Sequence, residues 1–186
     1  MSVAEKLGNL RLLLGHQLIS SSEKQFLPAP QLGSNIVPQG SIVELLGDYK
    51  IEWLSQFLAF HPDLKVFWAE RSPSILPTAL HQRGVKLSQI TFAILGQDLV
   101  QPLRRALQSQ VFSVVIAPQM FTEIKILQAF QLFAEKSNCI LFLLGQEQAS
   151  NAWPISLQLQ INKGEKQQFE IEILRQRHGK AHEKSL

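Results

Sequence analysis

The turn after the stretch GSIVELLG is the part of the sequence that comes nearest to phosphate chemistry. A phosphate-binding loop follows the spacing G-x-x-x-x-G-K-[ST]. Its glycines let backbone N–H groups surround the phosphates, its lysine meets the β and γ phosphates, and its hydroxyl binds Mg²⁺. Counted from Gly47 without a gap, the positions of the second glycine, the lysine and the hydroxyl hold Glu52, Trp53 and Leu54. This spacing therefore predicts no working phosphate loop.

A shorter loop does not restore the motif. If three residues are removed from the spacing, Lys50 takes the place of the lysine, but Ile51 then replaces the hydroxyl and too few residues remain to encircle a phosphate. Asp48 and Glu52 flank the same turn, and at close range each carboxylate repels a triphosphate. We therefore expect neither ATP nor another cofactor to bind here.

The sequence offers no other arrangement typical of an enzyme or a metal site. Its histidines are scattered at His16, His61, His81, His178 and His182, and no Ser/His/Asp order, carboxylate pair or metal-ligand spacing is present. The one cysteine, Cys139, lies in the apolar run CILFLL, where a buried thiol is expected. We expect a protein without catalytic residues and without a metal.

The elements around this turn alternate along the chain. Short apolar runs predict strands buried on both faces, and stretches with helical periodicity lie between them. The order βαβαβαβαβ predicts an α/β fold with a parallel sheet between two layers of helices. Two alternating runs follow, ISLQLQI and QQFEIEIL, separated by an Asn/Gly-containing turn. They predict an antiparallel hairpin with one wet face at an edge of the sheet.

Both ends of the chain differ from this core. Residues 2–19 predict an amphipathic helix with its apolar stripe at Leu7, Leu10 and Leu14, and residues 20–39 are rich in Ser, Pro, Gly and Asn and predict an irregular connector. We expect an arm and linker over 1–35, a core over 36–175 and a basic tail over 176–186. No apolar run approaches the ~20 residues that span a bilayer, so we expect a cytoplasmic protein without membrane contact.

The net charge of +3 is concentrated at the carboxyl end. Residues 175–186 hold four cations against Glu183, and the rest of the chain is neutral. DNA is the partner that such a basic segment could attract, through Arg175, Arg177, Lys180 and Lys184.

The ordered set of strand ends resembles the RecA recombinase superfamily. GSIVELLG resembles the strand and turn that open the ATP site, and WAE at 68–70 resembles a second strand ending in a water-activating glutamate, here Glu70. SVVIAP at 113–118 stands where the family has its Mg²⁺-binding aspartate strand, with Ala117 in place of the aspartate. LFLLGQ at 141–146 stands where a strand ends in a sensing glutamine, here Gln146. The resemblance implies a RecA-like three-layer sandwich whose nucleotide site is degenerate at Gly47, Asp48, Lys50, Glu52, Glu70, Ala117 and Gln146.

Two branches of this superfamily are similar to the chain. The leucine-rich start, the linker and the ending FEIEILRQRHGK resemble the ImuA-type accessory factors of translesion synthesis in the SOS response, and the SulA-type inhibitors of cell division are the second candidate. The first resemblance implies contacts with a polymerase-related protein or with RecA, and the second implies contact with the tubulin-like division protein. A residual ATPase using Lys50 and Glu70 is the enzymatic alternative. The sequence leaves open the oligomeric state, and whether the leucine stripe covers its own core or a partner.

Overall fold

The computed structural model of the chain describes residues 25–146, 148–164 and 168–177. The strands of this part are β1 (Phe26–Ala29), β2 (Gly33–Pro38), β3 (Ser41–Leu46), β4 (Val66–Glu70), β5 (Ile90–Ile94), β6 (Val114–Pro118), β7 (Ile140–Leu144), β8 (Ile155–Lys163) and β9 (Phe169–Gln176). The α-helices are α1 (Lys50–Phe60), α2 (Pro77–Gln82), α3 (Val100–Gln108) and α4 (Ile124–Ser137), and a 3₁₀ turn covers Leu87–Gln89.

Seven strands form one sheet in the order β5-β4-β6-β7-β3-β8-β9. All neighbouring pairs from β5 to β8 are parallel, and β9 is antiparallel to β8. The α/β class, the parallel sheet between helical layers and the antiparallel hairpin at its edge are confirmed. The carboxyl ends of the six parallel strands, β5 to β8, therefore lie along one edge of the sheet.

The central strands β4, β6, β7 and β3 are buried on both faces, because nearly all of their residues are apolar rather than only alternate ones. In β3, Val43 and Leu45 contact the core that α1 and α2 cover, whereas Ile42 contacts the core beneath α3 and α4. An apolar stripe on α3 and its N-cap residue is buried, formed by Leu99, Leu103, Ala106 and Leu107. We call the two sides the α1 face and the α4 face of the sheet.

The connector predicted over residues 20–39 is wrong for 26–38, because β1 and β2 form a two-stranded antiparallel sheet there. Ile36 and Val37 are buried in the core of the α1 face. The indole Nε1–H of Trp53 donates to the Pro30 carbonyl oxygen at 3.2 Å, which fixes the hairpin to α1. The prolines and the glycine in these short strands are typical of irregular connectors, so the sequence did not predict the strands. Packing against α1, and not local propensity, stabilises them. The division of the chain at residue 36 stays a prediction.

The hairpin of β8 and β9 has the one wet face that its alternation predicted. Phe169, Ile171 and Ile173 contact the core of the α1 face, and Glu170 and Glu172 are exposed between them. The β9 strand thus closes one edge of the sheet with a charged outer surface, which disfavours pairing with a further strand.

Proline and glycine mark the two ends of α2. Pro77 is the first residue of the helix, and Gly84, at φ +84°, follows its end. Ser74 has a side chain that favours the N-cap position, but Leu76 occupies that position. Ser74 instead donates to Glu70, so tertiary contact with a buried carboxylate outcompetes the local cap.

Cys139 is fully buried in the core of the α4 face, as its apolar setting predicted. Burial raises the pKa of its thiol to about 12, against a smaller opposing effect of a backbone hydrogen bond with Val115. Within the described ranges, no helix combines the length and the apolar character that crossing a membrane requires.

Candidate functional site

The turn between β3 and α1 contains Gly47, Asp48 and Tyr49, because α1 begins at Lys50. Gly47 has φ +86°, and a Cβ atom there would lie 2.2 Å from the carbonyl oxygen of Ile161 in β8. The Tyr49 amide donates to that same oxygen at 3.2 Å. The glycine is thus required by the close approach of β8, and one of the few N–H groups of the turn is already bonded to protein.

The charged side chains of this turn are directed to protein partners or to solvent. The Lys50 ammonium donates to the Gly47 carbonyl oxygen at 3.0 Å, so it folds back over its own turn. Glu52 forms an ion pair with Arg83 at 2.5 Å, with 33% of the glutamate side chain and 40% of the arginine side chain exposed. Asp48 is exposed. The ammonium of Lys50, the first residue of α1, is therefore bonded to the backbone of the turn.

Glu70 is buried at the end of β4, and both of its carboxylate oxygens accept hydrogen bonds from one residue. The Ser74 amide donates to Oε2 at 2.9 Å and the Ser74 hydroxyl donates to Oε1 at 2.8 Å. This arrangement holds the loop that leaves β4. It supports a structural role for the glutamate whose position resembles that of a water-activating residue.

Ala117 and Gln146 complete the predicted set. Ala117 is fully buried in the core of the α4 face, and Gln146 is exposed just beyond β7. The structure brings all the predicted residues to the carboxyl edge of the sheet, because each belongs to the end of a parallel strand or to the turn that follows it. It does not bring their side chains into one cluster: Glu52 and Glu70 have separate partners in Arg83 and Ser74.

Sequence reasoning missed Glu44, a fully buried carboxylate in the middle of β3. Its Oε2 accepts a hydrogen bond from Gln158 Nε2 at 2.6 Å and another from the Ser150 amide at 3.0 Å. Its Oε1 is buried and has no hydrogen-bond partner among the described residues. The signal was present in SIVELL, since a single charge within an apolar strand is rarely buried without a purpose.

A cavity of about 470 Å³ lies over Glu44 on the α4 face. One wall is the segment after β6, with Gln119, Met120 and Phe121, and the other is the segment from β7 to β8, with Ser150 and Ala152. The described residues between β7 and β8 contain no helix. The α4 face of β3 is therefore covered at this point by a loop, which leaves space above the carboxylate.

Hydrogen bonds from three directions hold the segment between β7 and β8, here called the crossover segment (residues 145–154). The Gly145 amide donates to the Leu45 carbonyl oxygen at 2.8 Å, and Gln158 Nε2 donates to the Ser150 carbonyl oxygen at 2.7 Å. Arg175 donates from Nη1 to the Ala152 carbonyl oxygen at 2.7 Å. The described part of the crossover segment is thus anchored to β3, β8 and β9.

The residues predicted to contact DNA are placed in part. Arg175 is half-buried and bonded to the crossover segment, and the guanidinium of Arg177 lies 5.7 Å from the centre of the Trp153 ring. Lys180 and Lys184 lie outside the described residues. Arg175 therefore has a structural partner, whereas Arg177 is exposed beside an aromatic ring that is itself half-exposed.

The leucine stripe of Leu7, Leu10 and Leu14 lies outside the described residues. The described chain starts at Gln25, whose carbonyl accepts a hydrogen bond from the Gln39 amide. At the other end, the Arg177 amide donates to the Ser156 carbonyl at the start of β8. Gln25 and Arg177, the two ends of the described chain, therefore lie at the amino end of the parallel strands, opposite the turn at Gly47.

No protein-family model matches this chain, and no curated protein is significantly similar to it in sequence.

Proposed function

We propose that this chain is a non-catalytic, RecA-like interaction protein of the DNA-damage (SOS) response, acting as an ImuA-type accessory factor for translesion synthesis. Its partners would be a polymerase-related protein or RecA, with DNA as a secondary contact of the basic tail. The proposal places the protein in the cytoplasm.

The observation that carries the non-catalytic part is the turn after β3. The turn has three residues, and Gly47 is required there by the close approach of the Ile161 carbonyl oxygen. Lys50, the first residue of α1, donates to the Gly47 carbonyl oxygen. A phosphate loop instead presents several free N–H groups and a lysine directed at the ligand. The geometry thus supports an interaction role over the residual ATPase that Lys50 and Glu70 would serve.

Nucleotide titration tests this part directly. A non-hydrolysable ATP analogue with Mg²⁺ is titrated into the full chain by calorimetry, and Lys50→Ala is titrated as the matched variant. We expect no saturable binding at nucleotide concentrations up to about 1 mM. A Kd of about 1 mM corresponds to a binding free energy of only about −4 kcal/mol. Micromolar binding that depends on Mg²⁺ and is lost in Lys50→Ala would overturn the non-catalytic proposal.

The docking part requires a truncation that respects the fold. Removal of residues 1–24 leaves β1 intact, because β1 begins at Phe26. Purified RecA and a purified translesion polymerase-related protein are tested for binding to the full chain, to the truncated chain and to the double variant Leu10→Glu, Leu14→Glu. Asn9→Glu, which adds a charge outside the leucine stripe, is the control. Binding lost in the truncation and in the stripe variant but kept in Asn9→Glu supports docking through the arm.

Two further results bear on the choice of branch. Overexpression of the full chain in cells without DNA damage is scored for filamentation, and filamentation would replace the ImuA-type proposal with the SulA-type one. Equal recovery of both partners with and without residues 1–24 would discard docking through the arm.

A further inference from the structure

The carboxylate of Glu44 is a hydrogen-bonding group with half of its capacity unused. Oε2 accepts from the Ser150 amide and from Gln158 Nε2, whereas Oε1 has no hydrogen-bond partner within the described part of the chain. A buried acceptor without a partner is rare in folded proteins and calls for an explanation such as a bound group. Gly145 lies next to this oxygen, and a Cβ atom on Gly145 would lie 3.4 Å from Oε1. The absence of a side chain on Gly145 therefore leaves space beside Oε1.

The cavity above Glu44 has the size and lining of a small-ligand site. Its volume of about 470 Å³ falls within the roughly 300–1,000 Å³ of such clefts. Apolar surface comes from Met120 and Ile124, which are exposed at the cavity, and from the largely buried Phe121. Gln119, Thr122, Gln148 and Asn151 add side chains with oxygen acceptors. Among the described residues that line it, Glu44 alone has an ionisable side chain.

We propose that this cavity binds a guanidinium group, with Glu44 as its anionic partner. The ligand would be an arginine side chain of a protein partner or a free guanidine compound with an apolar stem. Oε1 would accept an N–H of the guanidinium, the amide oxygens around it would accept others, and the stem would contact Met120, Phe121 and Ile124. The proposal does not depend on the RecA-like resemblance or on the state of the turn at Gly47.

The geometry favours a guanidinium over an ammonium or an anion. Oε1 is almost fully shielded from water, and a guanidinium, which is more weakly hydrated than an ammonium, loses less hydration free energy when it pairs with such a buried carboxylate. A guanidinium also brings five N–H donors, which suits a cleft rich in side-chain oxygens. An anion bound at the start of α4 would be repelled by the negative charge of Glu44. The N-cap residue of α4, Glu123, also already supplies the negative charge that a helix start favours.

Binding is tested with blocked arginine, N-acetyl-arginine methylamide, titrated into the full ¹⁵N-labelled chain. Blocked citrulline, which has the same shape but a neutral urea group, is the matched ligand. We expect saturable shifts of the Ser150 amide and the Gln158 side-chain amide with arginine, and at least about tenfold weaker binding of citrulline, because a charge-assisted hydrogen bond is lost. Equal binding of the two ligands, or no saturable shift with arginine up to about 10 mM, would overturn the proposal.

Variants locate the site. Glu44→Gln should weaken arginine binding about tenfold or more, whereas Glu70→Gln, a second buried carboxylate whose oxygens are both bonded to Ser74, should leave it within about twofold. Should Glu44→Gln fail to fold, Ile124→Lys places a cation at the exposed side of the cavity and should weaken arginine binding by about threefold or more. Unchanged binding in the folded Glu44→Gln protein, or in Ile124→Lys, contradicts the site.

A further arm identifies the source of the group. The peptide Gly-Gly-Arg-Gly-Gly is compared with the free compound agmatine. Tighter binding of the peptide supports the proposal with a protein partner as the source, and tighter binding of agmatine supports it with a small molecule as the source. If neither binds while blocked arginine also fails to shift Ser150, the cavity is not a guanidinium site.

Discussion

Replacement of Gly47 by alanine tests whether the turn after β3 is shaped by packing against β8. The added Cβ would lie 2.2 Å from the Ile161 carbonyl oxygen and 2.8 Å from the Asn162 side-chain oxygen. A Cβ atom essentially never lies within 3.0 Å of a non-bonded heavy atom, so the turn and β8 must move apart. The Tyr49 amide would then lose its hydrogen bond to Ile161.

The magnitude follows from two contributions. Alanine at a positive φ costs about 1–2 kcal/mol, and a lost backbone hydrogen bond costs about 0.5–1.5 kcal/mol. Displacement of β8 from the turn adds to this, so we expect Gly47→Ala to lower the free energy of unfolding by about 2–4 kcal/mol. Gly96 is the matched control: it has φ +63° and nothing within 4 Å of a built Cβ. Gly96→Ala should therefore cost about 1 kcal/mol, because the backbone penalty is partly offset by a less flexible unfolded chain.

The assay is equilibrium unfolding in urea, followed by tryptophan fluorescence, for the wild-type chain and both variants. Because Gly47 and Gly96 share the backbone penalty, the difference between the variants isolates the contact with β8. A cost for Gly47→Ala within about 0.5 kcal/mol of that for Gly96→Ala would refute the reasoning, since that is the usual error of such comparisons.

Three other predictions follow from single contacts. Cys139 should not react with a thiol reagent at pH 8 in the folded chain but should react in urea, where the thiol is exposed. The pKa of its thiol is about 12 in the folded chain and 9.0 in the unfolded chain. The contribution of the buried thiol to the free energy of unfolding is therefore complete below about pH 9 and is lost as the pH rises towards 12. Glu70→Ala should cost about 1–3 kcal/mol in urea unfolding, because it removes a buried acceptor of two hydrogen bonds; a neutral effect would contradict its role in holding the loop. Glu52→Ala should cost no more than about 1 kcal/mol in the same assay, because its ion pair with Arg83 is exposed, and a larger loss would show that this pair supports the turn.

The regular elements could be predicted because their causes are local. The helix α1 covers the stretch KIEWLSQFLAF, and β3 lies within GSIVELLG. Helical spacing of apolar residues decides which face of α1 is buried, and a short, nearly continuous apolar run makes β3 a strand buried on both faces. The β1–β2 hairpin escaped prediction because its strands are short and their burial depends on Trp53, which lies far along the chain.

The candidate site divides in a similar way. The departure of the turn from the spacing G-x-x-x-x-G-K-[ST] is visible in the residue order itself. The role of Glu44 in the candidate site could not be predicted, because its hydrogen-bond partners Ser150 and Gln158 lie 106 and 114 residues away in the sequence. A charged residue in an apolar strand indicates a functional or structural role, but the sequence does not show which loop will cover that residue.

The sequence by itself determined the class of the fold, the order of strands and helices from β3 onwards, and the departure of the residues after Leu46 from the phosphate-loop spacing. These follow from residue type and from spacing within short segments. The tertiary structure decided which strands are neighbours, so that β8 lies beside β3 and makes Gly47 necessary, and Gln158 of β8 reaches Glu44. It also decided that the crossover segment leaves a cavity over that carboxylate. Burial and hydrogen bonding between distant segments depend on the packed sheet, and no local pattern encodes them.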